Sequence, residues 1–124
     1  METNATDNIL VDLSKKFAVD IINICDTARK RGKAIAVIDQ LLRSGTSIGA
    51  NIHEANYASS KADFINKFHI SLKETYETAY WLDVFCKAEI ISAQEYNYLF
   101  NACSKIRKLL TVSITTAKGS AANK

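Results

Sequence analysis

SKADFINKFHISLKETYETAYWLDVFCKA, residues 60–88, contains neither glycine nor proline. Within it Phe64, Phe68, Leu72, Thr75, Ala79, Leu82 and Cys86 recur at steps of three and four, the spacing of one face of an α-helix. Ser60 stands where its hydroxyl can cap the first turn, and Asp63 puts an acid where the helix dipole favours one. The segment therefore predicts a helix ending near Ala88. On its C-terminal side Ser92-Ala93-Gln94-Glu95 reads as a capping box, in which serine and glutamate satisfy each other's free amides. Leu99, Cys103, Ile106, Leu110 and Ile114 carry that next helix to about Lys118.

Two more periodic segments precede residue 60. Ile38, Leu41, Gly45, Ile48, Ile52 and Ala55 mark a helix from about Ala34 to Tyr57. Gly45 and Gly49 each weaken it by roughly 1 kcal/mol relative to alanine, and glycines four apart permit a neighbouring backbone to approach closely, with a kink near Ser44-Gly45 as the alternative. Leu10, Leu13, Phe17, Ile21, Ile24, Cys25 and Ala28 mark another from about Ile9 to Lys30. It closes on Arg29-Lys30-Arg31 followed by Gly32, cations in a last turn with glycine just after it. Helices of about 22 to 28 residues span roughly 33 to 42 Å, and links of a few residues force sequential neighbours to run antiparallel. The expected fold is all-α, an antiparallel up-down-up-down four-helix bundle over residues 9–118, with disordered ends at 1–8 and 119–124.

Composition points the same way. A chain of 124 residues is the size of one domain, and 48% hydrophobic content supplies a core. With no proline and four glycines, the turn residues that a sheet-rich fold needs are missing. Cys25, Cys86 and Cys103 lie far apart beside apolar neighbours and read as small core residues, with no metal-binding or disulfide pattern among them. Residues 1–8 are polar and form no signal peptide, and no apolar run is long enough to span a membrane. A cytoplasmic protein is expected.

Two faces exceed what one core requires. On the third helix Ile70, Trp81, Val84 and Phe85 lie opposite the Phe68 stripe, with Glu74 and Glu77 among them. Such a patch marks a contact surface, so Trp81 and Phe85 are assigned to contacts between copies of the chain, the alternative being that the fourth helix wraps far enough around to cover it. On the second helix Arg43, Ser47, Asn51 and Glu54 form one polar line within an arc of roughly 80°. The line is poor in lysine and suits packing against another helix, with Arg43 pairing with Glu74 or Glu77.

The run Leu41-Leu42-Arg43-Ser44-Gly45-Thr46-Ser47-Ile48-Gly49-Ala50-Asn51-Ile52-His53-Glu54-Ala55 resembles a known family, the four-helix proteins related to those encoded within intervening sequences of bacterial large-subunit ribosomal RNA genes. Its motif matches at Leu42, Arg43, Ser47, Ile48, Ala50, Asn51, Ile52 and Glu54. The likeness continues through Phe64, Phe68, Ser71, Leu72, Glu74 and Glu77, then the Ile90-Ile91-Ser92 turn, spanning about Phe17 to Thr116. A glycine often follows the motif's glutamate, and here Ala55 and Asn56 stand instead. The resemblance implies a bundle that assembles as a ring, commonly a pentamer. The accessory variability proteins of diversity-generating retroelements look like relatives, pentamers that bind nucleic acid and a reverse transcriptase through basic surface.

Enzymatic chemistry finds no support in the residues. A di-iron bundle needs Glu-x-x-His pairs on two helices, and neither His53 nor His69 is preceded by an acid at that spacing. No arginine has a histidine four to six residues later, as helical RNases require, and no glycine-rich elbow or phosphate loop is present. No cofactor or metal is expected. Two basic clusters remain, with a net charge of +3. Arg29, Lys30, Arg31 and Lys33 gather at the first helix–helix turn, and Lys105, Arg107 and Lys108 sit on the fourth helix. Repeated around a ring, they would multiply affinity for phosphate. The sequence thus suggests a non-enzymatic oligomeric scaffold that binds structured RNA or DNA, alongside a protein partner. The alternative is a protein–protein adaptor without nucleic acid.

Overall fold

The computed structural model describes residues 5–32 and 35–122, with side chains through residue 119. It holds four helices, α1 (Ala5–Lys30), α2 (Ile35–Ala55), α3 (Lys61–Lys87) and α4 (Ala93–Ala122), and no strand among the described residues. The local signals place their ends. Gly32 takes the left-handed conformation, φ 73°, that closes α1. The Ser60 hydroxyl accepts from the Asp63 amide at 3.1 Å. At the start of α4 the Ser92 amide donates to Glu95 Oε1 at 2.8 Å, and the Glu95 amide donates to Ser92 Oγ at 3.0 Å.

Both ends differ from the sequence expectation. Ala5–Asn8 are helical rather than disordered, because Asp7 is buried and accepts a hydrogen bond from Ser113 Oγ at 2.8 Å. The α4 backbone likewise continues through Ala122, past the expected end at Lys118. Residues 1–4 and 123–124 of the expected disordered ends lie outside the described residues, as does Ala34. The α3–α4 turn carries a stop that no glycine announces. Glu89 adopts φ 61° with no glycine to ease it, while the Ile90 amide donates to Phe85 O at 2.8 Å and the Glu89 amide to Cys86 O at 3.0 Å. These bonds make a Schellman stop, anchored by the buried Ile90.

Each helix packs on two others, α1 on α2 and α4, and α3 on α2 and α4. Named contacts join the neighbouring helices at several points. From α1 to α2, Ser14 lies beside Gly49, Ile21 beside Gly45, and Arg29 pairs with Asp39. From α2 to α3, the Thr78 hydroxyl donates to Ser44 Oγ at 3.1 Å and the Ser71 hydroxyl to Ile48 O at 2.9 Å, while Lys67 reaches Glu54 at 3.4 Å. The glycine expectation is specific here. A Cβ at Gly45 would stand 2.9 Å from the Cγ1 and Cγ2 atoms of Ile21, and one at Gly49 would stand 3.2 Å from the Ser14 carbonyl.

The α2 and α4 stripes are buried as read, with Ser44 added in α2 and Ser113 in α4. In α3 the buried seam is Phe64, Phe68, Ser71, Thr75, Thr78, Leu82 and Phe85. Leu72, Ala79 and Cys86 are only half-buried. The steps are strictly four and three, an average of 3.5 residues, so the inward direction drifts about 20° per heptad around an ideal helix. By the end of α3 that drift has turned Phe85 inward and Cys86 out. Phe85 has no exposed surface and is a core residue, which corrects its assignment to a contact between copies. The same seam carries a buried hydroxyl layer, Ser44, Ser71, Thr75 and Thr78, each fully enclosed. Hydroxyls cost little there because backbone carbonyls and one another are within reach.

Candidate nucleic-acid interface

The two basic clusters read from the sequence have different environments. Arg29 pairs with Asp39 across the α1–α2 junction, and that bond raises its pKa. Lys30 lies 3.1 Å from Asp26 one turn back. Arg31 donates to the Ile90 carbonyl at 2.7 Å and lies 3.6 Å from Glu95, tying the end of α1 to the α3–α4 turn. Lys33 is outside the described residues. The described cations of this cluster therefore balance acids of the same chain and join its elements.

The α4 cluster is different. From Tyr96 to Lys124 the sequence holds no aspartate or glutamate. Lys105 and Lys108 are exposed, and neither meets a carboxylate among the described residues. Arg107 is positioned by two contacts that leave its charge uncompensated. Its Nε lies 3.4 Å from Thr75 Oγ1, and its guanidinium sits 4.6 Å from the centroid of the Tyr76 ring. Of the chain's four arginines, Arg29, Arg31 and Arg43 each have a carboxylate partner. Arg107 has none among the described residues. Around it Tyr76, Ser104, Lys108, Thr111 and Val112 line a shallow hollow of about 520 Å³. A guanidinium held over a ring, flanked by a lysine and two hydroxyls, offers directed donors and positive charge to a phosphate.

The polar line of α2 faces acids of α3. Arg43 bridges α2 to α3, lying 3.4 Å from Glu74 and pairing also with Glu77, which in turn accepts from Trp81 Nε1 at 3.2 Å. The Ser47 hydroxyl donates to Arg43 O at 2.6 Å, and the Asn51 amide to Ser47 O at 2.8 Å. Both satisfy their own helix within the polar line. Trp81 is half-buried, meeting Tyr80 edge-on at 4.9 Å and Phe85 at 6.5 Å. Tyr76 escaped the sequence reading, since its pairing with Arg107 joins two helices; its only local trace was the step of four to Tyr80.

A second hollow of about 210 Å³ lies between α1 and α4, edged by Asp20, Asn23, Thr27, Glu95 and Tyr98. Its charged groups already serve one another. Lys16 bridges Tyr98 Oη at 2.5 Å and Asp20 at 2.9 Å, hydrogen bonds that raise its pKa, while Glu95 caps α4. Burial pushes the thiols of Cys25 and Cys103 up to about 11, so both stay protonated and inert near neutrality. Among the described residues no three His, Cys, Asp or Glu side chains gather where they would hold a metal ion. No helix among them is long and apolar enough to cross a membrane.

A small all-α protein of four helices, the last of which carries basic residues and no acid after Glu95, is the class these features define. The chain belongs to the 23S rRNA-intervening sequence protein family, whose model matches residues 6–112. It is similar to a crystal structure of a protein with unknown function from the S23 ribosomal protein family of Bacteroides thetaiotaomicron VPI-5482. The two share 45% identity with a TM-score of 0.86, over 89% of this chain and 98% of that one. No curated protein matches the chain.

Proposed function

We propose that this protein is a non-enzymatic scaffold that binds nucleic acid through α4 and the adjoining side of α3. The observation that carries this reading is Arg107, held in place by Thr75 and Tyr76 yet without a carboxylate among the described residues, on a helix that holds no acid after Glu95. Lys105 and Lys108 extend the charge. The α1–α2 cluster contributes less than its sequence suggests, because Arg29, Lys30 and Arg31 balance internal acids. RNA is the favoured partner, in keeping with the family's association with ribosomal RNA intervening sequences. The cytoplasm is then the compartment of its work, and three free cysteines suit a reducing environment.

The opposed numbering of contacts between neighbours supports an antiparallel up-down-up-down arrangement. Assembly of copies is supported by Val19, Ile22 and Ile35, each about half-exposed, and by the half-buried Trp81. A ring of five, as the family resemblance implies, would repeat the Arg107 surface around its axis and raise affinity without new contacts. The exposed Tyr80 ring beside the half-buried Trp81 favours the adaptor reading, in which a protein partner takes that surface instead.

Fluorescence anisotropy with labelled RNA, titrated across salt concentrations, separates the two readings. The expected result is binding that weakens steeply with salt, with Arg107→Ala and Lys108→Ala each reducing the slope of log affinity against log salt by roughly 0.7 to 0.9. Absence of binding at low salt would sink the nucleic-acid reading and favour the adaptor.

A further inference from the structure

We infer that the α3–α4 surface takes an unpaired nucleotide strand, with bases stacked on Tyr76 and Tyr80 and phosphates held by Arg107 and Lys108. This deepens the nucleic-acid reading and rests on it. Tyr76 and Tyr80 stand one turn apart on α3 and expose 59% and 60% of their surface. Each ring is fixed by a neighbour. Arg107 packs against Tyr76 at 4.6 Å from the centroid, and Trp81 meets Tyr80 edge-on at 76°. A ring held in place with open surface is a stacking platform, because ordering it costs little when a base arrives.

Spacing separates an unpaired strand from a duplex. Four residues of α-helix rise about 6 Å, whereas consecutive bases within a duplex strand rise about 3.4 Å. Two neighbouring bases therefore occupy both rings only when they are drawn apart, and paired bases present their edges rather than their faces. Charge lies beside the rings. Lys73 is one turn before Tyr76 on α3, exposed and without a carboxylate among the described residues. Ser104, Lys108 and Thr111 line the hollow next to Tyr76. Aromatic faces alternating with cations are the pattern by which single strands are bound with little sequence preference.

Anisotropy titrations would compare a single-stranded oligouridylate, the matching oligothymidylate and a duplex of equal length. Proteins tested would be the unaltered chain, Tyr76→Ala, Tyr80→Ala, Tyr76→Phe and Arg107→Ala, each first checked for helical content by circular dichroism. The expected result is tighter binding of both single strands than of duplex, lost at least about fivefold with each alanine at a tyrosine and kept by Tyr76→Phe. The tyrosine variants should leave the salt slope intact, whereas Arg107→Ala should lower it. If duplex binds as well as single strand and the tyrosine variants bind unchanged, the stacking inference is overturned while the nucleic-acid reading stands. If no strand of any kind binds, both fall. A preference between the uridylate and the thymidylate would identify which of the two chemistries the surface takes.

Discussion

Two backbone positions show opposite consequences of one atom. At Glu89 the chain needs φ 61°, a left-handed conformation in which a Cβ crowds the backbone at a cost of roughly 1–2 kcal/mol. Glu89→Gly removes that crowding, so the urea midpoint should rise by the equivalent of about 1 kcal/mol with the slope unchanged. At Gly45 an added Cβ would meet the buried, β-branched Ile21 at 2.9 Å. Alanine gains roughly 1 kcal/mol in helix propensity, but overpacking a closed core costs about 1–3 kcal/mol. Gly45→Ala should therefore lower stability, and a raised urea midpoint would show that α1 and α2 separate more easily than their close approach implies.

At the scale of the helix, the hydroxyl layer between α2 and α3 is the feature that periodicity of apolar residues alone did not reveal. Ser71, Thr75 and Thr78 sit on the 4-3-4-3 seam, but a search for hydrophobic stripes passes over them and selects Leu72, Ala79 and Cys86. Which side of that ambiguity faces inward depends on the drift of a 3.6-residue helix against a 3.5-residue seam. Thr78 donates to Ser44, and Ser44 donates to Leu41 O at 3.4 Å. Thr78→Val should cost about 1 kcal/mol, since it leaves the Ser44 oxygen without its donor. Adding Ser44→Ala should recover part of that loss, because removing both partners leaves no orphaned group. A double-mutant cycle followed by urea denaturation measures this coupling, and strict additivity would mean the bond contributes nothing. Capping chemistry, by contrast, was legible residue by residue. Ser60, Ser92 with Glu95, and Gly32 act through neighbours a few positions away, and so their roles need no tertiary information.

For the molecule as a whole, enclosure of the core appears in its response to alkali. Burial raises the Cys25 and Cys103 thiols from the ordinary 9.0 to about 11. The folded state thus holds these protons more tightly than the unfolded chain. Their contribution to stability is complete below about pH 9 and is lost as pH rises through 11. The urea midpoint should fall across that interval, and the fall should shrink when both cysteines are replaced by alanine. Charge balance is also a property of the whole fold. Two clusters of similar composition differ because Asp26, Asp39 and Glu95 stand beside one, while the Arg107 guanidinium contacts Thr75 and Tyr76 and no acid among the described residues. Light scattering during size-exclusion chromatography addresses assembly at this scale. A mass of five chains is expected, and a clean monomer would defeat the ring.

The sequence by itself determined the four helices, most of their ends, the apolar stripes of α2 and α4, and the family motif around Arg43. Each of these depends on local periodicity, capping or residue identity, which a linear chain expresses directly. Tertiary structure alone decided that Phe85 faces the core, that Asp7 belongs to the folded part, that Arg29 to Arg31 are balanced, and that Arg107 rests on Tyr76. Those outcomes depend on which side chains from different helices come within a few ångströms, since burial and charge compensation are set by neighbours in space.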